Sequence, residues 1–292
     1  MNTDAVHLKV TDTTAEMPDS FAGGVFDLER WKDYINKAVP GAGEMCLGDM
    51  RKCIEDGFTW ERDFLPVINN VYADTESVAQ TVREFHEISD GLDERIVTAF
   101  GRSVDVELIL YLGLCNGAGW VTGIGGKTAV LLGIEKIIEL GWYDRESMIG
   151  LIVHELGHVY QAQYGVLKRE TGSAREHFLW QLFTEGIAMV FEQEIVGDRE
   201  YFHQDRDGWK EWCDGNLRLI KDSFDKDLAV MTGDNQRYFG DWVKFNGYGD
   251  TGYYLGTKFV RFLLTEDSFD NLVKYDVDRV AAGYERFMTW QC

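Results

Sequence analysis

A five-residue stretch near the middle of the chain has the residue types and spacing needed to hold a metal ion. The run His154-Glu155-Leu156-Gly157-His158 places two imidazoles four residues apart. On an α-helix such residues share one face, so both rings can reach a single zinc ion. Glu155 stands beside the first histidine, where a general base would take a proton from a metal-activated water. The stretch therefore predicts a site for metal-assisted hydrolysis.

The flanking residues predict that this stretch is helical. Asp144 is a candidate N-cap with Ser147 three residues later, and Gly165 is a natural stop after the last helical residue. Apolar residues recur at helical spacing and would bury one side of the helix, so that the histidines face a cleft. These apolar residues are Ile149, Ile152, Leu156 and Val159.

A third ligand is expected on a later helix, predicted over residues 176–196. Glu185 lies in an apolar part of that helix, and a carboxylate buried there is costly unless it is paired or bound to a metal. Glu176, His177 and Glu192 are alternatives. Of these three, His177 is the strongest by chemistry, because imidazole suits zinc.

Hydrolysis of a peptide bond also needs a donor for the oxyanion that develops on the carbonyl. Tyr253 and Tyr254 are candidates, at the start of an apolar helix near the C-terminus, and His203 is a further one. Since adjacent residues point in different directions, we expect only one of the two tyrosines to serve.

The hydrophobic pattern predicts an α+β fold that is mostly helical. Residues 1–25 are predicted as an extended lead-in, 26–102 as an N-terminal helical subdomain and 103–292 as the domain that carries the metal helix. Period-two alternation predicts a strand from Val104 to Leu112, and a second apolar run predicts one from Thr128 to Ile134. The helices predicted in the N-terminal subdomain cover 28–39, 45–55, 60–72 and 75–100, the last interrupted near Asp90 and Gly91.

The connection Gly113–Gly126 between the two predicted strands ends in Gly-Lys-Thr, as phosphate-binding loops do. The first glycine of that pattern would stand at position 121, which is Val121, and the residues after Lys127 have the pattern of a strand, whereas a phosphate loop opens a helix. A flexible turn is therefore favoured over nucleotide binding.

Composition narrows the classes of partner. The chain has 29 basic and 50 acidic residues, a formal charge of −21, which disfavours nucleic acid and anionic lipid. Five scattered cysteines without a CxxC pair are typical of reduced thiols. Neither a signal peptide nor an apolar run long enough to span a membrane is visible, so the sequence predicts a cytoplasmic protein. It makes no prediction of oligomeric state.

The HELGH motif, the strand pair before it and the later run Thr184-Glu185-Gly186 resemble the gluzincin metallopeptidases. Gly252-Tyr253-Tyr254-Leu255-Gly256 makes the chain similar, more particularly, to a bacterial group of predicted zinc-dependent proteases. The resemblance covers about Val104 to Leu264. It implies zinc bound by His154, His158 and Glu185, with Glu155 as the base. It also implies a zincin-like core, here with a small antiparallel sheet, in which an edge strand holds an extended peptide or protein substrate.

The chain departs from the family pattern at one position. Gluzincins commonly carry an aspartate four residues after the third ligand, where it supports a histidine, and Met189 stands there. Another group must then orient that histidine. The alternative to a peptidase is a zincin-like scaffold or sensor that binds a metal or a peptide without turnover. The intact Glu155 favours the enzyme.

Overall fold

The computed structural model of the protein describes residues 7–240 and 242–290. The fold is 58% helical with a small sheet, which confirms the predicted α+β, mostly helical class. The chain divides into two compact units, one ending at Glu155 and the other beginning at Leu156. No helix in the described ranges is both long enough and apolar enough to cross a membrane.

The first unit contains two small sheets and six complete helices among its described residues, and it includes the start of the helix that carries the HELGH motif. A 3-10 turn precedes β2, and a π-helical turn at Trp60–Phe64 leads into α3. The elements in chain order are β1 (Leu8–Asp12), β2 (Phe21–Ala22), β3 (Val25–Phe26), α1 (Leu28–Ala38), α2 (Gly43–Glu55), α3 (Leu65–Ala73), α4 (Thr75–Ser89), α5 (Leu92–Phe100), β4 (Val106–Tyr111), β5 (Gly119–Ile124), β6 (Lys127–Gly133) and α6 (Ile134–Leu140).

Helix α7 (Arg145–Tyr164) crosses the boundary between the units. The other described residues of the second unit are helical or irregular apart from an isolated bridge between Phe245 and Tyr248. The remaining helices are α8 (Ala174–Val196), α9 (Trp209–Asp227), α10 (Thr251–Leu263), α11 (Phe269–Leu272) and α12 (Val277–Thr289).

The helices predicted for the N-terminal region are present at the predicted places. The pattern over 75–100 is broken as expected at Gly91, which adopts a left-handed backbone with φ +67° between α4 and α5. Asp27 caps α1 and Asp74 caps α4 by accepting backbone N–H groups. Local signals sufficed for α1, α4 and α5 because each begins at a residue that favours helix ends, namely Asp27, Asp74 or Gly91.

The main sheet has the order β1-β4-β6-β5, with the first three strands parallel and β5 antiparallel to β6. The prediction of a small antiparallel sheet is therefore wrong for most of its pairings. The predicted lead-in supplies β1, which pairs along its whole length with β4. β5 lies within the glycine-rich connection that the sequence predicts as a flexible turn.

The β5–β6 hairpin explains why β4 and β6 run in the same direction. Gly125 and Gly126 form its two-residue turn with φ of +57° and +81°, a backbone that glycine adopts without steric cost. The chain thus reverses direction once between β4 and β5 and again between β5 and β6. Two strands separated by two reversals are parallel, whereas a simple connection between them would have made them antiparallel.

A buried carboxylate fixes the loop that follows β4. Glu135, at the start of α6, is 1% exposed and accepts hydrogen bonds from the backbone N–H groups of Gly113 at 2.9 Å and Cys115 at 3.0 Å. A side chain on Gly113 would collide with this carboxylate, since its Cβ would lie 2.5 Å from Oε1. Burial raises the pKa of Glu135 to about 7, and the two backbone donors limit the rise.

This pKa predicts a pH-dependent stability. Because the pKa is about 7 in the folded chain, against an ordinary value of 4.5 for a glutamate, the folded state binds more protons between these values. The free energy of unfolding should then fall by about 3 kcal/mol as pH rises through that window. Urea unfolding of metal-free protein from pH 5 to 8 should show this fall, and Glu135→Gln should flatten it. Glu139→Gln, an exposed site on the same helix, should keep the wild-type slope.

In the second unit, α10 packs against α8 through two glycines. A Cβ on Gly186 would lie 2.3 Å from the carbonyl oxygen of Gly256, and one on Gly256 would lie 2.5 Å from that of Leu182. The two backbones therefore meet without intervening side chains. This crossing occurs at the residue after Glu185, so it fixes the part of α8 that carries the predicted third ligand.

Candidate metal centre

Helix α7, which carries the HELGH motif, begins and ends as its sequence predicts. Asp144 accepts the backbone N–H of Ser147 at 2.9 Å and caps the first turn of α7. The helix ends at Tyr164, and Gly165 follows in close contact with the chain at Val273, where a Cβ would lie 1.8 Å from the carbonyl oxygen. His154 and Glu155 are buried at 5% and 8% exposure. The first two residues of the HELGH motif are therefore largely shielded from solvent.

Helix α8 approaches α7 at Gly157, the residue before the second histidine of the motif. A Cβ there would lie 2.8 Å from the Cα of Ala188, so only glycine permits this contact. The close approach places Glu185 beside His158, with 3.3 Å between Oε2 and Nε2. The glycine within the motif therefore lets the helix that carries the carboxylate reach the helix that carries the imidazoles.

The three predicted ligands lie together. One ligand atom from each of His154, His158 and Glu185 lies within 4.8 Å of the others, and the side chains of His158 and Glu185 are 14% and 15% exposed. Ligand atoms about 2.0–2.2 Å from zinc in a tetrahedral arrangement are about 3.3 Å apart. The separation of His158 and Glu185 matches that edge and exceeds a charge-assisted hydrogen bond. Two imidazoles and a carboxylate are thus a donor set that could hold a zinc ion.

A second group shares His154. Glu192 and His203 each place a ligand atom within 4.8 Å of it and of one another, and all three residues are buried. The His203 Nδ1 lies 2.9 Å from Glu192 Oε2, and the His203 backbone N–H donates to Oε1 at 3.3 Å. A separation of 2.9 Å is that of a hydrogen bond and is shorter than the edge of a tetrahedral zinc site. The geometry therefore favours the His158 and Glu185 group as ligands.

The remaining two candidates for the third ligand lie in the first turn of α8. His177 is exposed there, eight residues before Glu185, and Glu176 accepts the backbone N–H of Gly172 at 2.7 Å. Neither belongs to a candidate metal group among the described residues. The sequence suggests Glu192 only as a ligand and His203 only as an oxyanion donor. It does not reveal that the two form a pair, because they are on different segments.

The two candidate tyrosines differ in what they contact. The Tyr254 hydroxyl donates to Asp214 at 2.6 Å, and the residue is 1% exposed. Burial, helped by that carboxylate, raises the pKa of Tyr254 well above its usual value, so it stays a neutral phenol with its proton engaged. Tyr253 is half-buried, with its ring 6.1 Å from that of Phe239. Of the two, Tyr253 is the better candidate for an oxyanion donor.

The edge strand begins against the predicted base. A Cβ on Gly119, the first residue of β5, would lie 2.8 Å from Cγ of Glu155. β5 is the last strand of its sheet, so one of its edges faces away from β6. The Glu155 side chain thus packs against the first residue of an edge strand, a type of strand that an extended chain can join.

The local fold does not support a phosphate-binding loop. Lys127 is exposed and opens β6, and the glycines before it form the turn of a hairpin. A phosphate-binding loop would instead lead into a helix N-terminus.

Comparison with protein-family models, with curated proteins and with solved structures finds no match for this chain.

Proposed function

We propose that the protein is a zinc-dependent peptidase of the gluzincin type. The observation that carries this proposal is the convergence of His154, His158 and Glu185, whose ligand atoms lie within 4.8 Å of one another, with Glu155 next to His154 in the chain. The separation of 3.3 Å between His158 and Glu185 suits two ligands of one zinc ion. The Glu155 carboxylate follows the first histidine in the chain and belongs to none of the candidate metal groups of the described residues. It therefore suits the role of a base better than that of a ligand.

Zinc bound by these ligands would supply a Lewis acid for the scissile carbonyl and lower the pKa of the attacking water. Glu155 takes a proton from that water as it attacks and passes it to the nitrogen of the leaving amine. Burial at 8% exposure keeps competing water away from the carboxylate. Tyr253 suits the role of oxyanion donor better than Tyr254, whose hydroxyl is engaged by Asp214.

β5 supplies the surface on which an extended substrate binds. A peptide pairing with this strand places its backbone next to Gly119, whose missing side chain leaves room for Glu155. Recognition through the main chain is compatible with many sequences. A formal charge of −21 favours neutral or basic peptides over acidic ones.

The ligand assignment predicts the metal content of variants. Elemental analysis of protein purified without added metal should give about one zinc per chain for the wild type. Glu185→Ala should lose most of it, because two imidazoles alone hold zinc weakly. His177→Ala removes an exposed histidine from the same helix and should retain it.

The same proteins should then be tested for cleavage of an unstructured protein such as casein. Zinc binding with cleavage that a chelator abolishes would support the peptidase. Zinc binding without cleavage of any peptide in a diverse library would favour the scaffold. A wild type that neither contains nor takes up zinc would overturn the proposal.

A further inference from the structure

Glu192 is a fully buried carboxylate that the proposed reaction does not use. It lies on α8 seven residues after Glu185, two helical turns along the same face. Its side chain is 0% exposed. A carboxylate at such depth requires donors around it, because an uncompensated charge would be very costly. The groups that contact the Glu192 carboxylate therefore indicate what this residue does.

Two donors to Glu192 come from one residue. The carboxylate oxygens accept from the His203 backbone N–H at 3.3 Å and lie 2.9 Å from the His203 ring Nδ1. An ionised carboxylate only accepts, so this ring nitrogen would be the donor to an ionised Glu192. His203 itself is 5% exposed. The arrangement fixes the orientation of the Glu192 carboxylate on one side.

The third neighbour of Glu192 is His154, one of whose ring nitrogens lies within 4.8 Å of the other members of the group. An imidazole has two nitrogens, and a metal uses one of them. Histidines that bind a metal almost always donate the other N–H to a carboxylate, a carbonyl or water, which fixes the tautomer and raises the basicity of the ligand. Glu192 is the buried carboxylate whose oxygen lies within 4.8 Å of a ring nitrogen of His154.

We propose that Glu192, oriented by His203, is the positioning residue of the metal centre and holds His154 in the tautomer and orientation that bind zinc. The inference rests on the proposed function. It also accounts for Met189, which replaces a carboxylate one turn after Glu185 and is itself fully buried. In this chain the supporting carboxylate lies three residues further along α8, and a histidine from the following segment orients it.

The test is the zinc affinity of metal-free protein, measured by competition with a chromophoric chelator. Glu192→Gln keeps the shape of the side chain and removes its charge, and it should weaken zinc binding about 10- to 100-fold. The stoichiometry at saturation should stay at one zinc per chain. Urea unfolding of the metal-free variant distinguishes this effect from general destabilisation, since a purely structural role would lower stability and leave affinity unchanged.

The matched control is Glu194→Gln. Glu194 lies two residues after Glu192 on the same helix, and its carboxylate pairs with Arg261 at 2.6 Å. The zinc affinity of the Glu194→Gln variant should equal that of the wild type. If Glu192→Gln does not fold, His203→Gln tests the same contact and should weaken zinc binding in the same direction.

Three further results have distinct meanings. Unchanged affinity in Glu192→Gln and His203→Gln would overturn the inference and leave the peptidase proposal intact. Loss of zinc from both variants at saturating metal, with zinc retained in Glu185→Ala, would make Glu192 and His203 ligands and overturn the inference. A wild type without zinc affinity would refute the proposed function, and the inference with it.

Discussion

Glu155→Gln is expected to lower the rate of peptide cleavage by about 100- to 10,000-fold, the usual contribution of a general base. Glutamine has nearly the same shape, so it fits beside Gly119, but its amide cannot take a proton from water at neutral pH. Zinc content should be unchanged, because Glu155 is absent from the ligand group. Initial rates on a peptide that the wild type cleaves, together with elemental analysis of the same preparations, measure both quantities.

Glu146→Gln is the matched control for that experiment. It makes the same chemical change in the first turn of the same helix at an exposed position, and it should leave the rate within a factor of about two. Wild-type turnover in Glu155→Gln would mean that another group acts as the base. Equal losses in both variants would point to damage to α7 as a whole.

Gly186→Ala is expected to destabilise the protein by about 3 kcal/mol or more, at the upper end of overpacking effects. The added Cβ would lie 2.3 Å from the carbonyl oxygen of Gly256, a backbone atom that cannot rotate away, so α8 and α10 must separate. Glu185 is the adjacent residue and should move with α8. We therefore expect weaker zinc binding in addition to a lower urea midpoint for the metal-free protein.

Gly48→Ala is the control: the same substitution at this position is not expected to lower the stability of the protein. Gly48 lies inside α2 with no neighbouring heavy atom within 4 Å of an added Cβ. Alanine favours helix by up to about 1 kcal/mol, so this variant should be equally or more stable. If Gly186→Ala were as stable as Gly48→Ala, the close crossing of α8 and α10 would be incorrect.

Features encoded over a few residues could be predicted from the sequence. The α7 boundaries follow from Asp144 and Gly165, whose effects are confined to the ends of the helix. The shared face of His154 and His158 follows from helical geometry alone. Glu185 is predicted as a ligand because a carboxylate in an apolar run needs a partner, and the structure brings it to 3.3 Å from His158.

Features that depend on distant pairing could not be predicted in this way. β5 has glycine at both Gly119 and Gly123 and lacks the alternation of a typical strand, since its pairing with β6 determines its conformation. β1 pairs with a strand almost one hundred residues away. The Glu192 and His203 pair joins α8 to the segment that follows it. No local pattern marks such a contact.

The position of β5 at the end of its sheet also bears on self-association. An edge that can accept a substrate backbone can equally accept the same edge of another copy, which is a route to aggregation. Its glycines lower the intrinsic preference for extended pairing, and the strand has only six residues. A short, glycine-rich edge pairs poorly on its own, and under the proposed function a bound metal would help to hold the incoming chain in place. Weak pairing at this edge would thus limit self-association while still permitting transient capture of a substrate.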